Sequence, residues 1–196
     1  MTSKTFVSIL ILAVVATAAP ALAHTGPHAG SGMGFSFGAG ILHPLQGPDH
    51  LAQMVLVGLL AARAGDRAIW LLPLVFVAAM VAGALIVRPE MAGAVIEWGI
   101  LAGLALAGAL AVARDVAALP VMMAVVGAAG LLHGMAHGAE APAASFAGYV
   151  AGFVVATSLL HALGIAGGVW LLRQRAGALR VAGAAIAVAG VAGAIV

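Results

Sequence analysis

The sequence predicts an all-α polytopic membrane protein: a cleavable signal peptide followed by six transmembrane helices, the first bent or broken at Pro44 and Pro48. Three observations predict it. Hydrophobic residues make up 64% of the 196 and charged residues 7%. A soluble domain carries about 25% charged residues, so this set cannot build a water-facing surface. Apolar stretches of membrane-crossing length recur along the chain, with short arginine-bearing loops between them. The 27 glycines, set among many alanines, suit close helix approach in lipid.

Composition also excludes several functions. The absence of cysteine removes disulfides, thiolate metal sites and iron–sulfur clusters, leaving His, carboxylate, Met and backbone oxygen as ligands. The net charge of +2 comes from arginines scattered among loops, not from a patch, so no nucleic-acid partner is expected. The chain has no G-x-x-x-x-G-K-[ST] loop, so no nucleotide is expected to drive it.

Residues 1–23 read as a secretory signal: Lys4 supplies the positive start, residues 6–16 the apolar run, and Ala21-Leu22-Ala23 the small-x-small cleavage site. An uncleaved first membrane helix is the alternative. Cleavage would leave His24 at the new N-terminus, where its amine and imidazole could chelate one ion, with His28 close by. Residues 24–33 form a periplasmic His/Gly/Pro leader that serves equally as a flexible tether binding nothing.

Residues 34–196 form the six-helix domain. The spans are expected at about 34–62, 68–87, 91–113, 118–139, 145–172 and 178–196. The loops after the first, third and fifth hold Arg63, Arg67, Arg114, Arg173, Arg175 and Arg180, and the other side holds Arg88. That asymmetry places the first group in the cytoplasm and the mature N-terminus in the periplasm of a bacterial inner membrane. Trp70, Trp98 and Trp170 fall near span ends, as an aromatic belt requires, and Glu97 beside Trp98 reads as an interfacial anchor.

The chemistry is concentrated in three spans. His43-Pro44-Leu45-Gln46-Gly47-Pro48-Asp49-His50 sits in an apolar span, where ionisable groups are costly and mark function. On a continuous helix, positions 43, 46, 50 and 53 share one face with Asp49 beside it. The two prolines remove backbone donors and free carbonyls. Such a nitrogen and oxygen stripe suits a borderline divalent cation in transit; a kinked helix whose polar groups satisfy one another is the plainer alternative. The fourth span ends in a second cluster. His133, His137 and Glu140 share a helical face, and imidazoles four apart can chelate one ion; headgroup-solvated histidines are the alternative. His161 lies about 24 Å along the fifth span, a turn after Thr157 and Ser158, which could hold it by hydrogen bonds. Met54, four residues after His50, reads first as a gap-filling core methionine and only second as a soft ligand.

The H-x5-D-H pattern at His43–His50 and the His-Gly-x-Ala-His-Gly-x-Glu run at His133–Glu140 resemble the HupE/UreJ family of hydrogenase and urease accessory membrane proteins. The resemblance covers essentially the whole chain, with Leu132 standing where the family run begins with Phe. It implies a nickel permease and no enzyme activity. His43, Asp49, His50, His133, His137 and Glu140 carry over as metal-handling positions, while His161 and His24 rest on the residue argument alone. The implied cargo is Ni2+, with Co2+ or Zn2+ compatible with the same donors, and the implied partners are the lipid bilayer and nickel-enzyme maturation machinery. Three other classes place histidines in a membrane: a b-type haem protein, a metalloenzyme, which the lack of His-Glu-x-x-His and the shortage of carboxylates disfavour, and a metal-binding accessory protein that does not transport.

Overall fold

A computed structural model describes residues 33–87, 93–141 and 145–195. The expected signal peptide, His24, His28 and Arg88 lie outside the described residues. The described chain forms seven helices and no strand: α1 Met33–Gln46, α2 Pro48–Ala64, α3 Ala68–Ile86, α4 Ala94–Val112, α5 Leu119–Glu140, α6 Phe146–Gln174 and α7 Ala176–Ile195. Met33, assigned to the leader by the sequence, opens α1 instead.

Five helices are long and apolar enough to cross a membrane: α3, α4, α5, α6 and the Gly177–Ala194 part of α7. The first expected span is two helices, of 14 and 17 residues, separated at Gly47. The chain is thus helical throughout, with five full-length candidate spans and one broken one among the described residues.

The α2 helix occupies the centre. Every residue from 52 to 62 is buried, which is why this stretch, Gln53 excepted, is apolar all round rather than striped. Around it stand α6, α7, α3 and α4. Outward faces carry Leu74, Leu85, Leu106, Leu163 and Val188, all exposed apolar side chains of the kind a lipid environment accepts. Trp70 and Trp98 also point outward near helix starts.

Glycine sets the packing. A side chain at Gly130, Gly134 or Gly138 of α5 would strike the backbone of Phe76, Met80 or Ala84 of α3. The two series rise together, so α3 and α5 run parallel. Gly58 and Gly164 abut across the α2–α6 contact, and Gly40 of α1 sits against Tyr149 and Phe153 of α6. On the other side α7 runs antiparallel to α2, with Gly183 near Leu56 and Gly190 against Ala52. With no hydrophobic force between helices in lipid, such close backbone approach supplies the van der Waals attraction that holds the bundle.

Arg63, read from the sequence as a loop arginine, closes α4 instead. Its guanidinium donates to the carbonyls of Leu110, Ala111 (3.0 Å) and Ala113 (2.6 Å). These are terminal carbonyls of α4 without helical donors, at the negative end of the helix dipole. The contact fixes the end of the central helix to its neighbour.

Candidate metal centre

The site begins at the break between α1 and α2. Pro44 lies inside the last turn of α1 without ending it, whereas Pro48 is at the first position of α2, where a missing N–H costs nothing. The chain therefore breaks at Gly47, in an extended conformation (φ −96°, ψ 117°), and not at either proline. A Cβ at Gly47 would lie 3.0 Å from both Asp49 Oδ1 and His50 Nδ1. The break also ends the expected continuous stripe: Gln46 is exposed at the end of α1, while Gln53 is buried within α2.

Three helices converge on one point. His43 of α1, His50 of α2 and His137 of α5 each offer a ligand atom, and these atoms lie within 4.8 Å of one another. The rings pack edge to face, with centroids 4.7 Å apart for His43–His137, 5.1 Å for His50–His137 and 6.0 Å for His43–His50. The two carboxylates flank the trio rather than enter it. Glu140 Oε2 is 3.1 Å from His43 Nε2, and Asp49 Oδ1 is 3.1 Å from His50 Nδ1. Contact at Nδ1 directs the opposite nitrogen of His50 away from the carboxylate, the arrangement in which an outer acid orients a ligating imidazole.

Deeper in, His133 lies beside the trio, its ring 4.7 Å from that of His50. Its Nδ1–H donates to the Ala129 carbonyl at 2.8 Å. That bond fixes the tautomer and leaves Nε2 with a free lone pair, buried and without a partner. Neither nitrogen of His137 has a hydrogen-bond partner, and its ring stacks on Phe153 at 4.7 Å. Buried polar atoms are normally satisfied, so several unsatisfied imidazole nitrogens in one place mark a site built for something else. Exposure falls along the series, from 60% for the Glu140 side chain to 25% for His43, 14% for His50 and none for His137 and His133.

His161 stands apart. The Phe76 ring contacts both it and His133, with centroids 5.1 Å and 5.5 Å away. The hydrogen bonds expected from Thr157 and Ser158 are not made: Thr157 donates to the Met54 sulfur and Ser158 to the Val154 carbonyl. Both nitrogens of His161 remain buried and unpartnered.

Phe76 and Tyr149 were missed by sequence reasoning. Tyr149, the one tyrosine of the chain, places its ring 5.8 Å from His43 with its hydroxyl buried and unpartnered. Its uniqueness in so apolar a sequence was the available clue. Gln53 lay on the expected stripe, and both its amide atoms are buried without a partner.

A family model described as HupE / UreJ protein matches residues 12–193. The chain belongs to the HupE/UreJ family. It is similar to "Protein HupE" of Rhizobium leguminosarum bv. viciae, with 41% identity over 185 residues that cover 92% of this chain and 93% of that one. No solved structure matches. Membership in the family makes this a hydrogenase/urease accessory membrane protein, as the two motifs imply. Leu132, the departure from the family pattern, lies against Gly99 of α4, where its side chain fills space.

Proposed function

We propose that the protein is a permease that admits Ni2+ through the membrane to supply a nickel metalloenzyme. The observation that carries this reading is the meeting of His43, His50 and His137, from three helices, within 4.8 Å inside an apolar bundle. Ni2+ is the cargo; Co2+ and Zn2+ share its preference for imidazole, and selectivity among them rests on geometry.

Glu140 at the exposed end offers a carboxylate where a hydrated cation arrives. It offsets ionic charge as water is lost, where the local dielectric falls and charge pairing strengthens. His43 stands beside it and leads to His50 and His137. Asp49 holds the His50 ring in register. His133 presents Nε2 at the next step, and His161 receives the ion beyond Phe76. A ladder of weak sites lets an ion leave as readily as it enters, which a closed four-ligand cage would forbid. Edge-to-face packing of the imidazoles also argues against haem, whose axial ligands must face each other across an open slot. In this reading the arginine-rich loops face the cytoplasm, His24 at the mature N-terminus captures the ion in the periplasm of the inner membrane, and the maturation machinery is the recipient.

The test is uptake of radiolabelled Ni2+ in proteoliposomes, with membrane insertion checked in parallel. His43→Ala, His50→Ala and His137→Ala are each expected to abolish uptake. Uptake at the wild-type rate in all three would remove the reading. A protein that binds Ni2+ at the trio but moves none would be a non-transporting accessory.

A further inference from the structure

Below the histidine trio, two thioethers from different helices meet at one hydroxyl. Thr157 Oγ1 lies 2.9 Å from Met54 Sδ and 3.7 Å from Met80 Sδ, and all three side chains are fully buried. Met54 follows His50 along α2 and Thr157 follows Phe153 along α6, each by one turn inward, while Met80 of the oppositely running α3 lies one turn outward of Phe76. The carbonyl of Met80 faces Gly134, the neighbour of His133, so this layer lies at the depth of His133. His161 is one turn further along α6, with both ring nitrogens unpartnered.

A methionine that merely fills space needs no polar neighbour. Here two sulfurs meet one oxygen in a layer level with His133, whose Nε2 is free, and one turn along α6 before His161, neither of whose nitrogens is engaged. We infer that Met54, Met80 and Thr157 form a second cation-binding step of soft, neutral donors between His133 and His161. Thioether sulfur favours soft and borderline cations such as Cu+, Ag+ and Ni2+ over hard ones such as Mg2+, Ca2+ and Mn2+. None of the three donors carries a charge, so a divalent ion is held loosely there, as a transit step requires. The direction of transfer rests on the permeation reading; the existence of the site does not.

The experiment uses the full chain in detergent, labelled with 13C at the methionine methyls, and Ag+ as the probe in chloride-free buffer. The resonances of Met54 and Met80 are identified by their loss in Met54→Leu and Met80→Leu, which nearly conserve volume. As a check needing no substitution, both are expected among the methyls untouched by a water-soluble paramagnetic agent, together with the likewise buried Met122. Both resonances are expected to shift together as Ag+ is added, and Met54→Leu/Met80→Leu is expected to bind one Ag+ fewer while keeping Ni2+ binding at the histidine trio. Unmoved buried methyls, or an unchanged Ag+ count in the double variant, would overturn the inference. A full Ag+ response in a protein that moves no Ni2+ would support this site and overturn the permease reading instead.

Discussion

His43 Nε2 sits 3.1 Å from Glu140 Oε2, joining the end of the short first helix to the end of α5. The contact spans the two family motifs, one from each half of the chain. It puts the most exposed acid of the site against the first imidazole a cation would meet. If Glu140 gathers ions there, Glu140→Gln keeps the hydrogen-bonding shape but loses the charge. Initial uptake should fall severalfold at low Ni2+ and return towards the wild-type rate at saturating Ni2+. Equal loss at every concentration would assign Glu140 a role deeper in the path.

Two glycine substitutions should separate the site from the scaffold. Gly47→Ala adds a methyl 3.0 Å from Asp49 Oδ1 and His50 Nδ1, atoms of side chains that can shift. The variant should insert and fold yet take up Ni2+ poorly. Gly134→Ala instead drives a methyl into the Met80 backbone, which cannot yield without parting α3 from α5. Overpacking of this kind costs about 1–3 kcal/mol or more, so the yield of folded protein and its thermal midpoint should drop. Thermal unfolding in detergent, set beside uptake, distinguishes the two.

These contrasts show what the sequence could and could not disclose. His43, His50, His133 and His137 stood out because ionisable groups are conspicuous in a chain only 7% charged. The family and the helical class followed from the same contrast. Phe76 and Met80 were invisible for the opposite reason: apolar side chains in an apolar sequence carry no mark of what they face, and Met54, noticed for its spacing from His50, read first as core packing. The break at Gly47 was narrowed to the proline pair, but only the geometry of Pro48 at a helix start shows why it falls between them. His161 was expected to borrow a hydroxyl from Thr157 or Ser158. Helical spacing gives neighbours on a face, not the rotamers that sent both hydroxyls elsewhere.

Acid should weaken nickel binding. An imidazole that binds metal does so through a nitrogen lone pair, so a proton on that nitrogen must leave first and protons compete with the ion. The sign follows: apparent Ni2+ affinity falls as pH falls. Once the ligating imidazoles are protonated in the free protein, the loss is about tenfold per pH unit for each proton displaced. Calorimetry in buffers of different ionisation enthalpy counts the protons released. The proton count per Ni2+ is expected to rise as pH falls; a constant count, with an affinity that does not fall in acid, would show that imidazoles are not the ligand set.

Phe76 offers the sharpest division between holding an ion and moving one. Its ring packs against both His133 and His161, and it has no atom that can ligate. If the ion passes from the upper histidines to the lower one along this contact, that ring has to move. Phe76→Trp enlarges the obstacle without touching His43, His50 or His137. Ni2+ binding in detergent should stay near wild type while uptake in proteoliposomes falls at least tenfold. Phe76→Leu, a smaller apolar side chain, should restore passage and relax the selection between Ni2+ and Zn2+. Wild-type uptake in Phe76→Trp would mean that the ion takes a route that does not pass this ring.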